Sequence, residues 1–263
     1  MQTHSEYTNE GNGTPVVMLH SSMSSKEQWS RLSANLCHDF QTIAIDLYGY
    51  GTSSYPQNPS SFTLVDEAHR IETIIRQLIG DKKKFHLVGH SYGGATALRL
   101  AYNQTHQIIS LSLFEPVAFH LLEKDDPALA PIFEVVKSIN SCIETSDFSK
   151  ATSLFVDFWS GVGTYGGLSQ TKQLYLDSFI KKVALDFQAG MNEPLTLADY
   201  RNIQIPTCLI SSPQSPLPTR QIVNNLEGAL PDYQIHRVDG GHMAPITNAY
   251  SVNDIWQTFI RAF

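Results

Sequence analysis

Six residues, Gly89-His90-Ser91-Tyr92-Gly93-Gly94, constrain this chain more than any other stretch. Before them stands Phe85-His86-Leu87-Val88, short and apolar, with the length of a buried strand. After them runs Ala95-Thr96-Ala97-Leu98-Arg99-Leu100-Ala101-Tyr102, rich in helix formers with apolar residues at helical spacing. A serine therefore sits between glycines on a sharp strand-to-helix turn. Such a turn strains the serine backbone and pushes its hydroxyl out above the sheet. Side chains at Gly89, Gly93 or Gly94 would collide with the adjoining strand and helix. The helix that starts beneath the serine has free N–H groups and a positive dipole end, which stabilise negative charge nearby.

With 263 residues, the chain has room for one large domain with an insertion, or for two small ones. Its net charge is -7, and the longest basic run is Lys82-Lys83-Lys84, so nucleic acid is not an expected partner. The three cysteines, Cys37, Cys142 and Cys208, are odd in number and lack Cys-x-x-Cys spacing. That pattern fits reduced thiols and speaks against a disulfide framework or a zinc site. The start, Met1-Gln2-Thr3-His4-Ser5-Glu6, is polar and lacks the basic-then-apolar order of a signal peptide, and no apolar run is long enough to span a bilayer. The expectation is a soluble cytoplasmic protein with no membrane partner.

Strand and helix signals alternate along the first half. Val16-Val17-Met18-Leu19 reads as a buried strand entering His20-Ser21-Ser22, and 26–37 has helical periodicity. Gln41 to Ile45 is the next strand, ending in Asp46-Leu47-Tyr48-Gly49-Tyr50-Gly51-Thr52-Ser53. Thr63, with Asp66 three residues on, caps a helix to about Ile79. Ile108 to Phe114 is another buried strand, closed by Glu115-Pro116. Near-continuous apolar strands alternating with helices predict an α/β fold: a mostly parallel sheet with helices on both faces.

The alternation then stops. Helical stretches are predicted near 128–144, 148–159 and 170–189, with no strand among them. Their aromatic density, including Phe155, Phe158, Trp159, Tyr165 and Phe187, needs a surface to bury against. Residues 117–200 are therefore read as a helical cap, inserted in a core domain of 1–116 and 201–263. The core resumes with a strand at 207–210, a helix at 219–230, a strand at 233–238 and a final helix at 249–263.

In open parallel sheets, ligands bind at the carboxyl ends of the strands. Ser21, Ser22, Asp46, Ser91, Glu115 and His242 collect there. A serine needs a base to act as a nucleophile, and the usual base is histidine. Of the ten histidines, His242 alone lies in a Gly-Gly-His loop just after the last strand, where it can reach over Ser91.

Four motifs, in order, resemble the α/β-hydrolase fold family: His20-Ser21-Ser22, with serine where glycine is usual; Asp46-x-x-Gly49-x-Gly51-x-Ser53; the serine turn at Gly89 to Gly94; and Gly241-His242. The resemblance covers essentially the whole chain. It implies that the backbone N–H groups of Ser22 and Tyr92 form an oxyanion hole, and that no metal or organic cofactor is needed. Asp46 is expected to hold its own loop.

Most family members supply the acid after the strand that follows the cap. Here that strand runs into Ser211-Ser212-Pro213-Gln214-Ser215-Pro216, without a carboxylate. Asp239 is poorly placed to orient a ring three residues away in one tight loop. Glu115 ends the strand after the Ser91 helix, at the catalytic edge, and some relatives place their acid at this strand end. The expected triad is Ser91, Glu115 and His242. A mainly apolar pocket for a small molecule is expected from His20, Phe119, Phe158, Trp159, Tyr165 and Met243. The expected activity is hydrolysis of a small, largely apolar carboxylic ester or lactone. Two alternatives stay open: C–C bond hydrolysis or a cofactor-free lyase reaction on the same triad, and a small-molecule receptor that turns over slowly. Haloalkane dehalogenase and epoxide hydrolase chemistry is disfavoured, since those relatives carry aspartate in place of Ser91.

Overall fold

The computed structural model describes residues 5–263; the polar start Met1-Gln2-Thr3-His4 lies outside the described residues. Among the described residues, seven strands form one sheet: β1 (Tyr7–Glu10), β2 (Thr14–Leu19), β3 (Phe40–Ile45), β4 (Phe85–His90), β5 (Ile108–Phe114), β6 (Thr207–Ser211) and β7 (Tyr233–Arg237). Their order is β1-β3-β2-β4-β5-β6-β7. Only β1 runs antiparallel, against β3, and every other pairing is parallel.

Strand side chains alternate between two buried faces, as a period of two requires. Val17, Leu19, Ile43, Ile45, Leu87 and Leu111 enter one core, while Val16, Met18, Ala44, Val88, Cys208 and Ile210 enter the other. The second core is closed by α1 (Ser30–Leu36) and α11 (Ala249–Ile260). There Trp29 and Trp256 meet with ring centroids 5.3 Å apart. The first core is closed by α2 (Leu64–Ile79), α3 (Tyr92–Asn103) and α9 (Leu217–Glu227). Thr63 and Asp66 cap α2 reciprocally: Asp66 N donates to Thr63 Oγ1 at 3.3 Å, and Thr63 N donates to Asp66 Oδ2 at 2.9 Å.

Between β5 and β6 the chain is helical: α4 (Leu129–Glu144), α5 (Phe148–Ser160), α6 (Gln170–Asp177), α7 (Ile180–Met191) and the short α8 (Leu197–Tyr200). A further short helix, α10 (Ala244–Thr247), precedes α11. Two predicted helices differ from expectation. The stretch 26–37 begins as a 3-10 turn, Lys26–Trp29, because Asp46 Oδ1 accepts from Lys26 N at 2.7 Å. The stretch 170–189 is broken into α6 and α7 at Ser178 and Phe179. Phe179 packs against Tyr175 at 4.9 Å and Tyr50 at 5.5 Å, so tertiary packing overrides a continuous helical pattern. Among the described residues, no helix is long and apolar enough to cross a membrane.

Candidate active site

Ser91 joins β4 to α3 with φ 58° and ψ −118°, a conformation sparsely populated for any residue with a side chain. The glycines around it make that conformation possible. A Cβ on Gly93 would overlap the carbonyl oxygens of Leu19 and His20, and one on Gly89 would stand 2.6 Å from Gly93 O. The turn is pinned by Ser91 N donating to Phe114 O at 3.1 Å and Val117 N donating to Ser91 O at 3.2 Å.

Three buried side chains then form one line. Ser91 Oγ lies 2.9 Å from His242 Nε2, and His242 Nδ1 lies 2.8 Å from Glu115 Oε2. The carboxylate fixes the tautomer: Nδ1–H donates to Glu115, leaving Nε2 to accept from the serine hydroxyl. Glu115 is fully buried, with φ 40° at the end of β5. Its other oxygen, Oε1, accepts from Ser212 N at 2.7 Å and Ser211 Oγ at 3.1 Å. The loop after β6 therefore carries no acid of its own and instead supplies donors to Glu115. Asp239 faces that loop, where Gln214 Nε2 donates to its Oδ1 at 2.8 Å. The imidazole of His242 stands between Trp159, at 4.4 Å, and His90, at 5.3 Å. His90 Nε2 donates to the His242 backbone oxygen at 2.9 Å. Burial first, and then the neighbouring His242, hold His90 well below the ordinary histidine pKa, in its neutral form.

The loop after β2 carries Ser22. His20 is fully buried beneath it, with Nδ1–H donating to Ser21 O at 2.7 Å and Nε2 accepting from Leu47 N at 3.0 Å. Burial lowers its pKa to about 4. The structure thus corrects the expected substrate role of His20: it is a backbone clamp. Gln28 Oε1 takes the place of a tighter glycine turn at Ser21, accepting from Ser21 N at 3.1 Å and Ser21 Oγ at 3.0 Å. Asp46 holds its loop by accepting from Lys26 Nζ at 2.8 Å and Thr52 N at 2.9 Å.

Below Ser22 lies a buried charge cluster that sequence reading missed. Lys182 and Asp186, one turn apart on α7, form an ion pair, and Lys182 Nζ also stands 3.6 Å from Glu67 Oε2. Asp186 Oδ2 accepts from Ser22 Oγ at 2.6 Å and Tyr50 OH at 2.5 Å. Glu67 accepts from Tyr92 OH at 3.2 Å and Tyr48 N at 2.9 Å. Ser22 and Tyr92 are therefore each tied, through one carboxylate, to a single ammonium on α7. That ammonium also sits over the rings of Tyr50 at 5.0 Å, Phe62 at 4.8 Å and Tyr92 at 4.7 Å. Burial raises the Asp186 pKa against the opposing pull of Lys182. The only sequence trace of this cluster is a lysine and an aspartate four residues apart on one helix.

Ser91 opens on two chambers. The inner one, about 20 Å³, is lined by Phe119, Val183 and Phe187 among others, with Ser22 and Asp186. The outer one, about 320 Å³, is lined by Met243, His242, Tyr175 and Lys172 among others. Trp159 and Phe155 border both. Of the expected pocket residues, Phe119, Trp159 and Met243 line these chambers. Phe158 and Tyr165 do not. Phe158 meets the Trp159 ring edge-on at 4.7 Å and faces a separate groove. Tyr165 bonds Ser149 Oγ at 2.8 Å and Asp177 Oδ1 at 3.0 Å, tying α5 to α6. Among the described residues, no three His, Cys, Asp or Glu side chains cluster as metal ligands.

The fold has close structural counterparts. An esterase from Exiguobacterium antarcticum superposes with a TM-score of 0.78 at 16% identity, covering 97% of this chain and 94% of that one. The enol-lactonase from Burkholderia xenovorans LB400 gives 0.77 at 17% identity, covering 97% and 95%. Among curated relatives, a haloalkane dehalogenase from Agrobacterium fabrum is 30% identical over 123 residues, 47% of this chain and 38% of that protein. A fluoroacetate dehalogenase from Burkholderia sp is 27% identical over 115 residues, 43% of this chain and 37% of that protein. The chain thus matches less than half the length of either dehalogenase. Residues 16–252 match the sequence pattern of the Alpha/beta hydrolase family, and the chain belongs to that family.

Proposed function

We propose that this chain is a serine hydrolase acting on a small, largely apolar carboxylic ester or lactone, with 117–200 serving as a cap over the core. The observation that carries this reading is the hydrogen-bonded line Ser91–His242–Glu115 opening on an apolar cavity. His242 Nε2 takes the proton of Ser91 Oγ as that oxygen attacks the substrate carbonyl carbon. The tetrahedral oxyanion rests on the backbone N–H groups of Ser22 and Tyr92, the latter at the free first turn of α3. Collapse of the intermediate breaks the bond to the leaving oxygen, which receives the proton from His242. Water then attacks the acyl group on Ser91 with the same base, freeing the acid. Aspartate-based dehalogenation would need a carboxylate where Ser91 stands, so this reading departs from the activity for which the two dehalogenase relatives are named.

Nitrophenyl acetate turnover, combined with organophosphate labelling followed by peptide mass spectrometry, tests the reading. Labelling at Ser91 with rapid turnover is expected. Labelling with negligible turnover of any ester or lactone would favour the receptor alternative, and failure to label Ser91 would overturn the nucleophile.

A further inference from the structure

The two chambers beside Ser91 are unequal in size and in chemistry, and His242 borders only one of them. His242 lines the outer chamber and not the inner one. A departing alkoxide must lie within hydrogen-bond reach of the imidazolium that protonates it, about 2.6–3.2 Å. The leaving group therefore belongs on the His242 side, in the outer chamber. The acyl remainder, bound through its carbonyl carbon to Ser91 Oγ, then points the other way, into the inner chamber. Resting on the hydrolase reading above, we infer that the substrate is an ester of a short, uncharged acyl group with a bulky apolar alcohol.

The size of each chamber carries this assignment. The inner chamber holds about 20 Å³, room for about one water-sized or methyl-sized group. Its walls are packed aromatic rings. Phe119 stacks on Phe187 with centroids 5.6 Å apart and an interplanar angle of 23°, and Phe187 meets Phe155 edge-on at 6.0 Å. Val183, fully buried, lines the chamber beside them. A longer acyl chain has to displace packed aromatic rings, and overfilling a packed site is unfavourable. The one charged side chain at the inner chamber is the carboxylate Asp186, held by Lys182, Ser22 and Tyr50. An acyl group ending in its own carboxylate would meet like charge there, with the nearby ammonium already paired. The outer chamber, at about 320 Å³, has Trp159, Phe155, Leu176, Met243 and Ile246 among its apolar lining, with Lys172 as a charged residue in its wall, and so takes an apolar alcohol of many carbons.

Two isomeric esters test the assignment: octyl acetate, long on the alcohol side, and ethyl octanoate, long on the acyl side. With the full chain, kcat/KM for octyl acetate is expected to exceed that for ethyl octanoate by about 100-fold. Phe187→Ala opens the inner chamber and is expected to shrink that ratio by about 10-fold or more. Phe119→Leu, a milder change should Phe187→Ala fail to fold, shifts the ratio the same way. In the opened variant, 2-naphthyl butyrate is expected to react faster than 2-naphthyl hemisuccinate. A preference for ethyl octanoate, or a ratio unmoved by both folded variants, overturns the inference and leaves the hydrolase reading standing. Labelling of Ser91 with no turnover of either isomer also overturns it. If Ser91 is not labelled at all, the hydrolase reading fails and the inference falls with it.

Discussion

Glu115 Oε2 and His242 Nδ1 lie 2.8 Å apart across 127 residues of sequence. Both side chains are buried, and the remaining carboxylate oxygen is occupied by Ser211 and Ser212. The carboxylate is thereby oriented from both sides, and it stands at the end of β5, not in the loop after β6.

Glu115→Gln is expected to lower kcat by about 10⁴-fold, because an amide nitrogen facing Nδ1 stabilises the wrong tautomer. Asp239→Asn is expected to stay within a few-fold of the parent, since Asp239 contacts Gln214. Steady-state kinetics on the preferred ester, with thermal melts to confirm folding, separates the two. The reverse outcome would move the acid to Asp239.

Lys182→Met is expected to destabilise the fold by about 3–5 kcal/mol, since it strands the buried carboxylate Asp186 and leaves Glu67 with only Arg70 as a cation, at 3.9 Å. Arg261→Ala, which removes an exposed ion pair to Asp39, is expected to cost less than about 1 kcal/mol. Urea unfolding midpoints compare them directly. Equal midpoints would show that the cluster around Lys182 contributes no more than a surface pair.

Stability is expected to depend on acid through buried histidines. Burial holds His20 and His86 at about 4 against an unfolded value of 6.5, and holds His90 well below 6.5. The unfolded chain binds more protons than the folded one between these values, so stability rises with pH across that window. Their contribution is complete above about pH 6.5 and is lost as pH falls toward about 4. Melting temperatures from pH 4 to 8 should fall on the acid side and level off near neutrality. A melting temperature independent of pH from 4 to 6.5 would contradict neutral, buried imidazoles.

Gly93→Ala is expected to lower stability by about 1–3 kcal/mol or more, because the added carbon meets the backbone oxygens of Leu19 and His20. Gly163→Ala is the comparison. Its φ is positive, at 87°, whereas Gly93 is helical, and nothing lies within 4 Å of the carbon added at Gly163. Melts that lower Gly163→Ala more than Gly93→Ala would show that backbone strain at Gly163 outweighs steric overlap at the serine turn.

The serine turn could be read from contiguous residues because its geometry is local: an apolar strand, glycines with no room for a Cβ, and a helix-forming run. Strand ends carry similar information, since an apolar run stops where Pro116 or a glycine loop interrupts it. Placement of Ser91, Glu115 and His242 on one edge of a parallel sheet followed from that rule alone. The break at Phe179, the pairing of Lys182 and Asp186 with residues more than a hundred positions away, and the burial of His20 lay beyond such reading. Each depends on how α5, α6 and α7 dock on the sheet, which no short window of sequence encodes. Docking also decided which aromatics face Ser91. Phe119 and Trp159 do, whereas Phe158 turns to a neighbouring groove and Tyr165 to hydrogen bonds with Ser149 and Asp177. Periodicity along the chain tells a residue which side of its own element it occupies; only the packing of one element on another determines what lies opposite.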